Sequence, residues 1–379
     1  MKQKTTAKTN IYWRLYQDEP VLKPSFPSSI LADPSFLFPE DSLDHRWHLF
    51  AHTLFGIVHY HSENGIEWSK PKRILANAMR PFIYVENATY YLYYEKYEPF
   101  SFLLSWLKRR KWKSEIQVCT SLDLKNWSEP KTVLSPTKDW HSDDKLGEAV
   151  GNPCLVKIGN RYRLYFSSSL VFVPDKGYNE SLHIGIADAI SPLGPFSLFS
   201  KPILSANPMD PYSNLSAGSI KVVRWKDRLF GFQNGIFWNP KTKTSGSAIL
   251  FLQSEDGIHW DKINDTPILG PTGQGWKASH VPSCDVKFSE SEKVFIIYFN
   301  ARNKPHWLKG KEAIGLFVGK VEEETIPMSS SKKNISSSKK DQSKTKTNLK
   351  PKPSPKKKIS DSNSKKRVIP KKAKSKKKR

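Results

Sequence analysis

Five stretches of this chain read alike: "DPSFLFPEDSLDHRWHLFAH", "RPFIYVENATYYLYYEKY", "NPCLVKIGNRYRLYFSSS", "GSIKVVRWKDRLFGFQNG" and "SCDVKFSESEKVFIIYFNAR". Each is an apolar run, a polar turn and a second run rich in aromatic and β-branched residues, which is the composition of paired strands. Between them lie four segments of a second kind, "SENGIEWSKPKRIL", "SLDLKNWSEPKTVL", "SPLGPFSLFSKPIL" and "SEDGIHWDKINDTPIL", each a polar turn, an aromatic and a short run to an aliphatic pair. Asn64-Gly65 and Asp256-Gly257 are strong tight-turn signals because these residues tolerate positive φ. The aromatics Trp68, Trp127, Phe196 and Trp260 stand 59, 69 and 64 residues apart, a period that suits one four-stranded blade with its loops.

The count is five of one kind and four of the other. The missing segment is at the opposite end of the chain, as "WRLYQDEPVL" at 13–22. An N-terminal strand that completes the last blade removes the exposed edges of the sheets, so the repeat predicts a five-bladed β-propeller over residues 1–325, its ring closed by the N-terminal segment. A β-sandwich or two stacked β domains would have no reason to repeat in a circle.

The formal charge of +25 is concentrated in one place. Residues 331–379 hold 21 Lys and Arg against Asp341 and Asp361, a net +19 that leaves +6 for the rest. With no aromatic and few aliphatic residues, the tail at 326–379 cannot bury enough surface to offset its ordering entropy and is expected to be disordered. Such an arm holds nucleic acid or another polyanion through counterion release, though without aromatics it cannot stack on single strands. The segment "EPFSFLLSWLKRRKWKSE" at 98–115 interrupts the second blade and reads as a loop on the rim, ahead of an amphipathic helix touching a membrane surface or a polyanion. No run of 18 apolar residues occurs and the first residues are polar, so the expectation is a cytoplasmic monomer with no transmembrane segment. Cys119, Cys154 and Cys284 lack metal-ligand spacing and are expected to be buried free thiols, with no metal and no cofactor.

In a propeller the innermost strands line a central channel. The residues that open the five strand pairs, Asp33-Pro34, Arg80-Pro81, Asn152-Pro153, Ala217-Gly218 and Ser283-Cys284, therefore converge on one funnel. Proline fixes φ and donates to no ladder, so it suits the first residue of a strand and leaves the preceding side chain aimed inward. A guanidinium at Arg80 must meet an anion there, either a carboxylate such as Asp33 or Glu95 or a phosphate or acidic sugar. Asp285 alternates with Cys284 and so can face the channel. Trp47, Tyr94, Trp140, Tyr212, Trp238 and Trp276 are available for stacking on sugar rings.

The run "ADPSFLF", followed by the five-fold strand-pair repeat, resembles the five-bladed glycoside hydrolases of the family 43 type and their β-fructosidase and mannoside-phosphorylase relatives. The resemblance implies that Asp33 is the general base or nucleophile, that a second Asp orients the acid and that a Glu donates the proton. At the second position this sequence has Asn152-Pro153. At the third it reads "SAGSI", which places Ser219 among the expected substrate contacts. Glycosidic cleavage needs one protonated and one ionised group. Glu148, on the loop entering the third inner strand, is the candidate acid beside Asp33, its alternative being a solvated loop carboxylate. "GQGWKASHVPS" resembles the stretch where these enzymes turn a histidine to the channel, which makes His280 a substrate contact or a hydrogen-bonded interior residue. Arg80, Asn152, Ser219, His280 and Asp285 are the expected substrate-binding set. The function implied is cleavage of a glycosidic bond by hydrolysis or phosphorolysis. The alternatives are a glycan-binding propeller without chemistry and a polyanion-binding protein acting through its tail.

Overall fold

The structure, a computed structural model, describes residues 8–98 and 111–324. The chain divides after Ile326, and the described residues belong to the first unit. The tail at 326–379 and most of the 98–115 segment lie outside them.

The secondary structure is almost entirely antiparallel strand. After β1 (Lys8–Leu15) comes a meander of β2 (Ala32–Leu37), β3 (Trp47–Thr53), β4 (Gly56–Ser62) and β5 (Lys72–Leu75). The second meander is β6 (Ala78–Glu86), β7 (Thr89–Tyr97), β8 (Trp112–Ser121) and β9 (Lys131–Leu134), extended by the short β10 (Ser142–Asp143) and β11 (Gly147–Glu148). The third is β12 (Val150–Ile158) and β13 (Arg161–Ser168), then a separate hairpin of β14 (Val171–Val173) and β15 (Tyr178–Glu180), then β16 (His183–Ala189), flanked by β17 (Ser197–Leu198) and β18 (Leu204–Ser205). The fourth is β19 (Ser216–Trp225), β20 (Arg228–Asn239), β21 (Thr244–Ser254) and β22 (Asp261–Lys262). The fifth is β23 (His280–Ser289), β24 (Val294–Arg302) and β25 (Glu312–Glu324), and its outer strand is β1, which pairs with β25 in the register Trp13↔Gly319.

The repeated Ser-x-Asx of the sequence is a turn device. Ser62, Ser121 and Ser254 each accept from the amide three residues on, at 2.9, 2.9 and 2.8 Å. Asn64, Asp123 and Asp256 each accept from the amides two and three residues on. The aromatic that follows then packs on the preceding meander: Trp127 on Phe50 and Trp260 on Tyr165. Trp13, in the fifth meander, likewise meets Phe232 and Phe251 of the fourth. Trp68, in the first, meets Tyr298 of the fifth, so the order of contact returns to its start. The core fills the spaces between neighbouring sheets, where Phe36, Phe50, Tyr93, Tyr165, Phe232 and Phe295 are fully buried.

Each innermost strand carries the same irregularity. Its pairing slips by one residue between Ala32 and Ser35, Met79 and Phe82, Gly151 and Cys154, Ser216 and Ser219, and His280 and Ser283. The bulged pairs are thus Asp33-Pro34, Arg80-Pro81, Asn152-Pro153, Ala217-Gly218 and Val281-Pro282. The expected fifth entrance, Ser283-Cys284, is corrected by two residues. The prolines sit within the strands, at a bulge where no ladder donor is needed, rather than at their first residue. Asp33, Arg80, Asn152 and Gly218 take φ of 48, 55, 50 and 66°. Left-handed backbone costs a residue other than glycine or Asn/Asp about 1–2 kcal/mol, a cost the bulge imposes at Arg80, whereas the Val281-Pro282 bulge makes the same slip without it.

Candidate functional site

The bulges put Asp33, Arg80, Asn152 and Ser219 on the wall of one cavity of about 960 Å³. Directly across each bulge, at the end of the second strand, stand His52, Glu95, Ser167, Ile236 and Arg302. This second circle carries much of the site's charge.

Asp33 Oδ2 lies 3.0 Å from His52 Nδ1, and both side chains are 16% exposed. Burial raises the Asp33 pKa, but the hydrogen bond and charge of His52, the charge of Arg80 and a hydrogen bond from Ser283 outweigh it and hold the carboxyl at about 2. The backbone N–H of Asp33 donates to Asn300 Oδ1 at 3.3 Å. Arg80 donates from Nη1 to Glu95 Oε2 at 2.7 Å. Its burial favours the neutral form, yet the charges of Glu95 and Asp33 raise its pKa above the ordinary arginine value. Glu95 is wholly buried, its Oε1 has no partner among the described residues, and a Cβ on Gly151 would stand 1.7 Å from its Oε2. Only a glycine at 151 leaves room for that carboxylate.

The hairpin of β14 and β15 supplies another part of the wall. Lys176, at its turn, is fully buried and ion-paired to Glu180. The hairpin reaches two other meanders, since Trp307 N–H donates to the Lys176 carbonyl at 3.2 Å and Ser245 donates to Asp175 Oδ2 from both N–H and Oγ. Arg302 pairs with Glu312, which also accepts from Asn300, and Tyr178 lies beneath the Arg302 guanidinium with its ring centroid at 5.3 Å. Of the three carboxylates on the cavity wall, Glu180 and Glu312 are therefore each in direct contact with a full cation, whereas the direct partner of Asp33 is an imidazole, with the Arg80 charge nearby. Such an interior can bind a polar ligand on a preorganised surface.

No family model and no curated protein sequence matches the chain. Solved structures do. It is similar to an N-acetylgalactosamine deacetylase from F. plautii in complex with blood group B trisaccharide, at 12% identity and a TM-score of 0.52, over 82% of this chain and 94% of that one. It is similar to a thermostable family-43 glycoside hydrolase at 13% identity and a TM-score of 0.52, over 77% and 89%. A third likeness, with a TM-score of 0.55 at 11% identity over 80% and 93%, is to a structure of the mannoside-phosphorylase family 130, which contains glycoside hydrolases that target β-1,2 mannosidic linkages in Candida mannan. The fold is that of the propeller glycoside hydrolases.

In this propeller, three residues of the expected site lie away from the cavity wall. Glu148 is on β11, paired in parallel with β8, and its carboxylate takes Lys113 Nζ at 3.0 Å. His280 is fully buried between Ser245 Oγ at 3.2 Å and Ser279 Oγ at 2.5 Å, and burial, then the charges of Lys176 and Arg302, push its pKa well below the ordinary histidine value. Asp285 is buried and accepts from Ser35 Oγ at 2.9 Å and the Phe36 amide at 3.0 Å, tying the fifth meander to the first. The aromatic residues of the propeller cavity also differ from those expected: they are Tyr97, Trp112, Phe172, Tyr178 and Trp307, whereas Trp47, Trp140 and Trp276 pack on Phe38, Phe166 and Phe299. His52, Glu180, Arg302 and Glu312 were missed. A signal for His52, Glu95 and Arg302 existed in the repeat, as the polar residue ending "HLFAH", "YLYYE" and "FIIYFNAR". The three cysteines are free and buried. Among the described residues no helix is long and apolar enough to cross a membrane.

Proposed function

We propose that this chain is a carbohydrate-active enzyme that cleaves a glycosidic bond, by hydrolysis or phosphorolysis, in the cavity ringed by the bulges. The five meanders are read as five blades and β1 as the strand that closes their ring, supported by its pairing with β25 and by the contacts of the fifth meander with the first. The observation that carries the functional reading is Asp33, a carboxylate held ionised on the cavity wall. It is the base or nucleophile of the reading, with Arg80, Asn152 and Ser219 as contacts for glycan hydroxyls or for phosphate. The likeness to enzymes acting on glycans supports the substrate class.

One observation favours a second reading, a glycan-binding propeller without chemistry. Besides Asp33 the wall carries Glu180 and Glu312, each ion-paired, and Glu95 behind it is ion-paired to Arg80, so no free carboxyl stands beside Asp33 among the described residues. A screen of aryl glycosides and oligosaccharides, with and without inorganic phosphate, separates the two readings. Turnover that Asp33→Asn abolishes supports the enzyme, and a phosphate requirement selects phosphorolysis. Glycan binding with no turnover supports the second reading.

A further inference from the structure

We propose that His52 is the proton donor of this site, the role that none of its carboxylates is placed to fill. The inference rests on the glycosidic-cleavage reading and adds to it the identity of the acid.

His52 ends β3, directly across from the bulge that carries Asp33, and lines the same cavity. Its Nδ1 faces Asp33 Oδ2 at 3.0 Å, while Nε2 has no partner among the described residues. A carboxylate on Nδ1 fixes the neutral ring as the Nδ1–H tautomer and leaves Nε2 as the nitrogen that exchanges a proton with a ligand. The other charged group facing the ring is Arg80, on β6, whose guanidinium is turned to Glu95 and whose backbone N–H lies 3.5 Å from Nδ1. That N–H competes for Nδ1 only if the ring is in the opposite tautomer. The second histidine of the wall, His306, is on the loop before β25, with Nδ1 accepting from the Leu308 amide at 3.3 Å.

In the proposed step the bond from the anomeric carbon to the glycosidic oxygen breaks, and its electron pair goes to the oxygen. That oxygen takes the proton of His52 Nε2, leaving the ring neutral. A water or phosphate oxygen forms the new bond to the anomeric carbon. Water gives up its proton to the Asp33 carboxylate; a phosphate dianion needs no base. The pair then recovers its protonation by exchange with solvent, so atoms and charge balance without another reactant. A histidine does here what a second carboxylic acid does in glycosidases generally.

Two measurements test this on the full chain. The first is the ¹⁵N shifts of the neutral His52 ring, assigned by comparison with His52→Gln. A proton on Nδ1 is expected; a proton on Nε2, with Nδ1 accepting from the Arg80 amide, overturns the proposal whatever the kinetics. The second compares His52→Gln with wild type on glycosides of the sugar found in the screen. A proton donor matters for a poor leaving group and not for a good one. The variant should therefore lose about 10²–10³-fold on an alkyl glycoside or oligosaccharide and stay within about threefold on the 2,4-dinitrophenyl glycoside. Equal losses on both substrates would show a merely structural role and overturn the proposal. Absence of wild-type turnover on every glycoside refutes the glycosidic-cleavage reading itself, and His52 falls with it.

Discussion

Gly151→Ala should disrupt the packing behind the cavity wall, where Glu95 holds Arg80. The added Cβ would stand 1.7 Å from Glu95 Oε2 and 2.3 Å from its Cδ, and Glu95 is fully buried with nowhere to swing. The backbone at 151 lies outside the left-handed region, so the whole effect is steric. Forcing a methyl into packed space costs about 1–3 kcal/mol. Displacing Glu95 also breaks its 2.7 Å pair with Arg80, a loss of about 3–5 kcal/mol for a fully buried pair but less here, because the Arg80 side chain is 19% exposed and has Asp33 nearby. We expect about 3 kcal/mol in total. For a unit of about 320 residues the unfolding entropy translates this to a fall in Tm of about 4–5 °C, measured by calorimetry. Gly270→Ala is the control: its Cβ would meet Ala248 Cβ at 3.6 Å, an ordinary contact, and should stay within about 0.5 kcal/mol. The same substitution in a Glu95→Ala background should lose most of its effect, because the clash partner is gone. A Gly151→Ala protein melting within about 1 °C of wild type, or an undiminished penalty without Glu95, would refute the reasoning.

Three further outcomes follow from the geometry. Burial first, then the charges of His48 and His61, lowers the His59 pKa to about 3; burial, then Lys138 and His183, lowers that of His141 to about 4. Both folded values lie below the unfolded value of about 6.5, so the stability these groups contribute is complete above that pH and lost as pH falls toward 4 and 3, by at most about 1.4 kcal/mol per pH unit for each; His59→Gln should flatten a series of urea midpoints taken from pH 7 to 4. At Asp33, with φ of 48°, Asn and Val both give up the carboxylate's contacts with His52 and Arg80, but Asn tolerates the left-handed backbone, so Val should cost about 1–2 kcal/mol more than Asn through backbone strain, read from Tm. Trp13→Ala removes the ring stacked on Phe317 and edge-on to Phe251, and chemical denaturation should show a loss of about 3 kcal/mol if β1 is integral to the fold rather than an appendage.

The sequence by itself determined the strand class, the count of repeats and the return of the pattern to the N-terminus. These depend on local alternation of side chains and on turns such as Ser62-x-Asn64, whose hydrogen bonds close within a few residues. It also singled out Asp33, Arg80 and Asn152, because proline marks a place where a strand donates nothing, but as strand entrances; that they are bulges inside the strands came from the register. The fifth was misplaced at Ser283, though "VPS" at 281–283 echoes "DPS" at 33–35, since Val281 carries no polar group to draw attention. Only the tertiary structure decided which charges meet. His52 faces Asp33 because a one-residue slip in the β2–β3 register sets them side by side. Glu180 enters the cavity because a hairpin from the third meander reaches the fourth and fifth, and Glu148 stays outside because β11 pairs with β8 and turns its carboxylate to Lys113. Periodicity fixes the face a residue occupies within its own strand, but the partner across a gap of 15 to 250 residues depends on register and on how the sheets stack, which no local pattern encodes.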